Sequence, residues 1–522
     1  MSRLVRNRAP EGKRRQPPSA PFGYVVPGTD LFSGVRWQVA VGFSTHWSWI
    51  WLVFWSSLFY SNYSHQNLVH ESLLLEPLWT ISLLTNAAGP MLILYFLTRK
   101  RTPWRNAPSA RGPQVLGQHL APVVLAAALT SVGTLIVAEP ASIFSPAAMN
   151  VAYVAGASLT GFGSAIAFVL WGEALTVQGS RSALAYNVLA MLIGAATYLV
   201  FMLLPAGFAR FATGLLPIAG MALFWKNRGI VGAYQPPSSP SDRGLAKMQI
   251  RENVLSITAI SLFFGISYGV MKGAFVLEES ALIEIRDALN VASFVIGALA
   301  ILITTRAFDM DFGKLTYQVA LPLMAGGFLF ITLDHPLPLL GFSLHQVGYQ
   351  YFYIVIWALW PVLARNNPSA PPALFPCFAV FGMQAGQLLG SVVGSAIMPV
   401  GSISPEALHM ETSVAIFVIL LVALFGFGNS RSGWGLINPM SQESSLPKFK
   451  RTCQQLAATH GLSKRETEVF LLLAKGRNCA RICETLVIAE PTAKTHIKNV
   501  YHKMGVHSQQ ELLDMIESEG AN

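Results

Sequence analysis

Long apolar stretches recur along most of this chain and limit what it can fold into. Over residues 37–427, about twelve of them are close to the roughly 17–25 residues that a helix needs to cross a bilayer. The sequence therefore predicts an all-α fold, with a polytopic membrane helix bundle as its larger part. The spans are expected near residues 37–60, 78–97, 115–138, 147–171, 183–204, 208–225, 254–276, 288–305, 315–333, 340–363, 373–398 and 412–427.

The distribution of Lys and Arg gives this bundle a direction. When the N-terminus is placed in the cytoplasm, 21 Lys and Arg residues fall in the N-terminal arm and the inner connections. The outer connections then hold only Arg210 and Arg286. Inner loops of membrane proteins carry such an excess of basic residues. We therefore expect a multi-pass protein of the plasma (inner) membrane with both termini in the cytoplasm.

Polarity divides the chain into four parts. Residues 1–36 are expected to be a disordered basic arm in the cytoplasm, and residues 37–427 form the transmembrane domain. A polar central loop over 226–253 splits this domain into two six-span halves, a layout that resembles the major facilitator superfamily. Residues 428–457 are predicted to be a flexible cytoplasmic linker, and residues 458–522 a soluble domain.

Polar side chains within the spans are the candidates for binding a small-molecule ligand. Lys272 stands out, because an ammonium group inside a membrane is costly and usually has a function. The alternative is that Lys272 reaches the interface and that buried amides only join helices. Four tryptophans of the first span are better explained as interfacial or packing residues than as a ligand cage. The candidate ligand-binding residues are His46, Glu173, Lys272, Gln346 and Gln384.

The C-terminal domain has the pattern of several short helices. Ser463-Lys-Arg-Glu466 is a capping box, which predicts a helix start just before a periodic apolar run. A short second helix is followed by a third with Ala493, Ile497, Val500 and Met504 on one stripe. Gly505 is expected to close this third helix, and a second capping box, Ser508-Gln-Gln-Glu511, to start a fourth.

The polar face of the third helix predicts contact with nucleic acid. Two short helices joined by a tight turn, the second with a basic outer face, describe a helix-turn-helix that places one helix in the major groove of double-stranded DNA. The alternative is a helical bundle whose charged face is simply solvated. The predicted DNA-binding residues are Thr492, Lys494, Thr495, His496, Lys498, Asn499, His502 and Lys503.

Residues 462–517 also resemble the DNA-binding domain of LuxR-type transcriptional regulators. The matching positions include Arg465, Glu466, Gly476, Lys494, His496, Asn499, Lys503, Gly505, Val506 and Glu511. The resemblance implies a four-helix bundle whose third helix binds DNA and whose fourth supports a homodimer. The chain departs from the family at Cys479-Ala480-Arg481 and at Ala489, where the family has a serine cap.

Other functional classes find no support in the residue pattern. The four cysteines form no CxxC pair and have no histidine at metal-ligand spacing, so neither a metal site nor a cofactor is expected. No phosphate-binding loop or nucleophile elbow indicates an enzyme. We expect a membrane-bound transcription regulator whose transmembrane domain senses a small molecule or a membrane state. The alternative is a transporter of the major facilitator type with a regulatory DNA-binding appendage.

Overall fold

The computed structural model of the chain divides into two compact units, Met1–Pro439 and Met440–Asn522. In the first unit the structure describes residues 31–60, 77–98, 115–138, 144–232, 243–277, 283–307, 319–331, 337–367, 370–397 and 414. In the second unit it describes residues 453, 456–457, 459–474, 479–486, 488–513 and 515. Most of the predicted basic arm and of the predicted linker lies outside these ranges.

Within the described ranges the regular structure is helical, without strands, which confirms the predicted all-α class. A 3₁₀ turn, Leu116–Gln118, precedes α4. The helices of the first unit are α1 (Trp37–Trp55), α2 (Ser57–Tyr60), α3 (Pro77–Thr98), α4 (Leu120–Ala138), α5 (Pro146–Gln178), α6 (Ser180–Met202), α7 (Ala206–Lys226), α8 (Gly229–Gly232), α9 (Arg243–Leu277), α10 (Ile283–Ala307), α11 (Leu321–Ile331), α12 (Leu337–Asn366) and α13 (Leu374–Ile397).

Nine of the described helices are long and apolar enough to cross a membrane, and all nine lie at predicted spans. Helix α1, at the first predicted span, has 19 residues, most of them buried, and is not among these nine. Helix α11, at the ninth, is shorter, at 11 residues. The twelfth predicted span lies outside the described residues except for residue 414. Helix α9 begins at Arg243, so the last part of the predicted central loop is helical.

Glycines allow the helices of the first unit to pack closely. Gly265 and Gly269 of α9 face Gly382, Gly386 and Gly390 of α13, and a Cβ at any of the five would collide with backbone of the opposite helix. Small residues at a spacing of four bring membrane helices together in this way. Large apolar side chains remain exposed on the outside of the helices, for example Leu92, Phe96, Val124, Phe211 and Ile303, which is typical of a surface that contacts lipid.

The second unit has a hydrophobic core of its own. It contains α14 (Lys464–Ala474), α15 (Cys479–Leu486) and α16 (Glu490–Met504), followed by a helical turn over residues 509–513. The core also includes Cys453, Leu456 and Ala457, at the end of the predicted linker. The prediction of a linker up to residue 457 was therefore wrong at its end, because the apolar spacing of these three residues lets them pack on the domain.

Candidate functional site

The start of α14 is fixed by the predicted capping box. The Ser463 N–H donates to Glu466 Oε2 at 2.7 Å, and the Glu466 N–H donates to Ser463 Oγ at 3.3 Å. Lys503 Nζ of α16 also donates to Glu466 Oε2, at 2.7 Å. The hydrogen bonds from Lys503 and from the Ser463 backbone lower the pKa of Glu466 from 4.5 to about 2. One carboxylate thus caps α14 and fastens the end of α16 to it.

Helix α16 lies on the core through the predicted apolar stripe. Ala493, Val500 and Met504 are buried, and Ile497 is half-buried against the same cluster. Gly505 ends the helix in the left-handed conformation, with φ of 70°. The Gly505 N–H donates to the His502 carbonyl and the Val506 N–H to the Tyr501 carbonyl, the two bonds of a Schellman motif. The buried stripe and the fixed C-terminal end therefore determine which face of α16 is turned outward.

Most of the predicted DNA-binding residues lie together on that opposite face. Thr492, Lys494, Thr495, Lys498, Asn499 and His502 are exposed, whereas His496 is half-buried. Thr495 Oγ1 donates to the Pro491 carbonyl one turn earlier, at 2.9 Å. The exposed face carries hydrogen-bond donors of the kind that contact phosphates and base edges. We call these six residues the outer face of α16.

The ion pair that the outer face forms within the domain is exposed to solvent. Lys494 Nζ lies 2.8 Å from Glu490 Oε1, and both side chains are about two-thirds exposed, at 67% and 64%. This hydrogen bond lowers the pKa of Glu490 and raises the pKa of Lys494. An exposed pair of this kind contributes little to stability, so a phosphate can replace the carboxylate. Lys503 differs, because its ammonium group binds Glu466 and the Gly461 carbonyl.

Two side chains that position the helices had no role in the sequence prediction. Arg465 donates from its guanidinium to the Leu486 carbonyl at 2.9 Å, which ties α14 to the end of α15. Gln509 donates to the Leu473 carbonyl at 2.8 Å and ties the last helical turn to α14. Both act on backbone carbonyls distant in sequence, so only the fold reveals them. Ala489 provides no side-chain cap for α16, as the sequence predicted, and Pro491 lies in its first turn.

The first unit contains a small cavity with aromatic walls. Ten of its eighteen described lining side chains are aromatic, and five of these ten are tryptophans. Residues before the predicted central loop (Trp47, Asn86 and Phe168, among others) line one side. Residues after it (Tyr268, Gln350 and Gln384, among others) line the other. The cavity therefore lies between the two halves of the helix bundle.

Lys272 is buried beside this cavity and contacts α1 and α3 of the first half. Its Nζ lies 3.8 Å from the centre of the Trp55 ring and 4.2 Å from that of Trp79, both of which line the cavity. It also donates to the Phe54 carbonyl at 3.4 Å. A cation is favourable at the C-terminal end of α1 and on a tryptophan face. Lys272 is thus buried and is not among the described lining residues, but it packs on two tryptophans of the cavity wall.

Two more polar residues of the second half bind where α1 ends. Asp287 accepts hydrogen bonds from the Ser57 N–H at 3.1 Å, from Ser57 Oγ at 2.6 Å and from the Tyr198 hydroxyl at 2.9 Å. Asn290 Nδ2 donates to the Trp55 carbonyl at 2.9 Å. Together with Lys272, these residues form what we call the α1 clamp. The clamp connects the two halves next to the cavity.

The structure places only one of the other four ligand candidates on the cavity wall. That one is Gln384. Glu173 accepts hydrogen bonds from the backbone of Leu116 and Gly117, at 2.9 and 2.7 Å, and so fixes the turn before α4. His46, Glu173 and Gln346 are not among the described residues that line this cavity. His46 is buried instead with its ring 4.6 Å from that of Phe168.

The tryptophans of α1 form a large part of the cavity wall. Trp47, Trp49, Trp51 and Trp55 all line the cavity, and Trp49 Nε1 donates to Thr134 Oγ1 at 2.9 Å. The amides Asn86 and Gln350 lie on the same wall. The clustering of the lining residues depends on how α1, α3, α5, α9, α12 and α13 meet, which the spacing along one span does not show.

Comparison with known proteins identifies the second unit. Residues 460–516 match the model of the GerE family, described as bacterial regulatory proteins of the luxR family. The spore germination protein GerE of Bacillus subtilis (strain 168) is 42% identical over 62 residues, which are 84% of that protein and 11% of this chain. The chain belongs to the luxR family.

Other relatives of this luxR-family chain match over the same part. The transcriptional regulatory protein DegU of Brevibacillus brevis is 37% identical over 76 residues, which are 15% of this chain. The fimbriae Z protein of Salmonella typhimurium is 39% identical over 57 residues, which are 11% of this chain. The chain spans only about a third of the length of these two relatives, 32% and 27%.

Several solved transporter structures are similar to the first unit. The human organic anion transporter MFSD10 gives a TM-score of 0.48 at 14% identity, over 74% of this chain and 98% of the transporter. The proton:xylose symporter XylE, of the major facilitator superfamily, gives 0.49 at 12% identity, over 75% of this chain and 94% of the symporter.

Proposed function

We propose that this chain is a membrane-bound transcription regulator. The observation that carries the proposal is the outer face of α16, an exposed row of donors on a helix whose opposite stripe is buried and whose C-terminal end is fixed. It belongs to a luxR-family domain on a chain with nine helices, among those described, that are long and apolar enough to span a membrane. Regulation of genes close to the membrane is the function that joins these two parts.

In this proposal α16 enters the major groove. Lys494 and Lys498 lie one turn apart and neutralise phosphates, while Asn499 forms hydrogen bonds with a base edge. Thr492, Thr495 and His502 extend the same surface. Residues 440–522 carry 11 basic against 9 acidic residues, so one copy has little electrostatic attraction for DNA. A homodimer on half-sites roughly 10 base pairs apart would supply the working affinity.

The first unit acts as the sensor in this proposal. Its cavity is lined from both halves of the helix bundle, and the α1 clamp connects the halves beside it. A ligand shifts a conformational equilibrium only if it binds the two states with different affinity. When a site is shared by two halves that move relative to each other, the distance between its walls differs between the two states. The ligand then binds the two states with different affinity.

The regulator is placed in the plasma (inner) membrane with both termini in the cytoplasm, where DNA is accessible. The support is the distribution of Lys and Arg along the chain. Reporter proteins test this orientation directly. A reporter inserted after Arg111 or within residues 236–241 is expected to behave as cytoplasmic, and one inserted after Asp334 as external. An external signal within 236–241 would refute the orientation.

The regulatory role is tested by exchanging the membrane part. Residues 37–427 are replaced by an unrelated membrane anchor of the same orientation, and both DNA occupancy and transcripts are measured over a range of growth conditions. We expect the promoters to remain bound and their transcription to stop responding to conditions. If the response is unchanged, the membrane part is only an anchor and the sensor proposal is wrong.

A further inference from the structure

The walls of the cavity restrict the chemistry of its ligand. We infer that the ligand is a small, uncharged aromatic molecule with at least two hydroxyl groups on its ring. This inference deepens the proposed function and rests on it, because it takes the cavity between the two halves as the sensor site. Three properties of the described cavity wall support the inference: its polar atoms, its aromatic side chains and its charge.

Three buried amides of the wall have unused hydrogen-bonding capacity. Asn86, Gln350 and Gln384 are 5%, 5% and 6% exposed, and their side-chain oxygens have no hydrogen-bond partner among the described residues. A buried polar group without a partner costs about 1–3 kcal/mol, so these positions favour a ligand that bonds them. A hydroxyl group satisfies either end of an amide, because it both donates and accepts.

Besides these amides, the indole Nε1 of Trp47 has no hydrogen-bond partner among the described residues, and three other polar side chains of the wall are already bonded. Ser82 is bonded to the Ala157 carbonyl and Thr160, Ser164 to Asn86, and Gln387 to Tyr349. A polyol would therefore bury several hydroxyl groups against aromatic rings without partners. An aromatic ring instead gains from edge-to-face and offset contacts with the ten aromatic side chains. The wall thus favours a ring with hydroxyl groups at its edge over a sugar.

Charge and size narrow the class further. The described lining contains no ionisable carboxylate, ammonium or guanidinium side chain, and the Lys272 ammonium lies directly behind Trp55 and Trp79. Because no carboxylate lines the described wall, a buried organic amine would have no counter-charge there, and the three amide oxygens disfavour an anion. The cavity volume of about 70 Å³ restricts the ligand to a small molecule.

Five small probes separate these possibilities. Resorcinol, benzene, benzoate, benzylammonium and xylitol are titrated into the full chain in lipid nanodiscs by calorimetry, with empty nanodiscs subtracted for partitioning into lipid. Resorcinol is expected to bind at least tenfold more tightly than the other four, because it alone combines an uncharged ring with two hydroxyl groups. Equal or tighter binding of any other probe, or no binding of resorcinol, overturns the inference.

Matched variants locate the binding. Gln384→Leu removes one amide from the wall and is expected to weaken resorcinol binding about tenfold, the effect of one hydrogen bond. Gln346→Leu is the control, because this amide is equally buried but does not line the cavity. Gln350→Leu serves as a second cavity variant if the first does not fold. Equal binding by the cavity variants and the control contradicts the assignment.

The failure of this inference can be told apart from the failure of the proposed function. If resorcinol binds as expected but the transcripts of bound promoters do not change when it is added, the ligand class stands and the sensor proposal falls. If transcription depends on the membrane part but resorcinol does not bind, the sensor proposal stands and the ligand class is wrong.

Discussion

Replacing Lys498 with Ala separates DNA contact from domain stability. Lys498 is exposed on the outer face of α16, one turn from Lys494 and away from the Ala493–Met504 stripe. Its removal should leave the core of the second unit unchanged. If its ammonium contacts a phosphate, the slope of log affinity against log salt concentration should decrease by about 0.9, the contribution of one phosphate contact on duplex DNA. The loss should be similar on specific and random sequences.

The expected effect of each substitution on stability and on the salt slope depends on whether the lysine has a partner within the domain. Lys503 is the control, because its ammonium binds Glu466 at 2.7 Å and its side chain is only 39% exposed. Lys503→Ala should cost about 1 kcal/mol of stability, since the partly solvated pair is screened, and should change the salt slope little. Lys498→Ala should do the reverse, changing the salt slope while the unfolding midpoint stays within error.

The assay is fluorescence anisotropy of labelled duplex DNA with the full chain in nanodiscs, at four or more salt concentrations. Thermal unfolding of each variant is followed in the same preparations. The reasoning is refuted if Lys498→Ala leaves both the affinity and the salt slope unchanged. It is also refuted if Lys503→Ala lowers the slope as much as Lys498→Ala does, because the Glu466 contact would then not retain Lys503.

Further predictions address other contacts. Asn499→Ala should weaken binding to the preferred site by roughly 1–3 kcal/mol and binding to random DNA little, and equal losses on both would exclude base recognition. Stability that Glu466 gives the second unit should be lost as pH falls from 4.5 to about 2, because its folded pKa is the lower one. In the Glu466→Gln variant, the free energy of unfolding of the second unit should not show this loss between pH 4.5 and about 2. Gly386→Leu should prevent α9 and α13 from packing and reduce the yield of folded protein, whereas Gly207→Leu, which meets no neighbour, should not.

The sequence predicted the second unit well because its signals are local. A capping box, an apolar stripe and a closing glycine each depend on residues within four positions, and the structure contains all three as hydrogen bonds or buried faces. The end of the linker was misplaced because Cys453, Leu456 and Ala457 pack on residues far along the chain. The role of Arg465 was missed for the same reason, since its partner carbonyl belongs to Leu486.

In the first unit the sequence located the spans but not the site. A buried amide or tryptophan is equally compatible with every face of an apolar helix, so its partners depend on how six helices meet. Gln384 and Gln346 show this clearly, because both are buried amides and only the first lines the cavity. Lys272 was singled out correctly as a costly buried cation, yet its contacts with Trp55, Trp79 and Phe54 required the fold.

DNA occupancy by the intact chain in its membrane tests the central claim most directly. Cells that express the full chain are cross-linked, the membrane fraction is isolated, and the DNA bound to the chain is sequenced. The same is done with Asn499→Ala. The account predicts discrete promoter sites with the unchanged chain, which weaken or disappear with the variant. Recovery of no promoter DNA, or of the same sites with both chains, would contradict it.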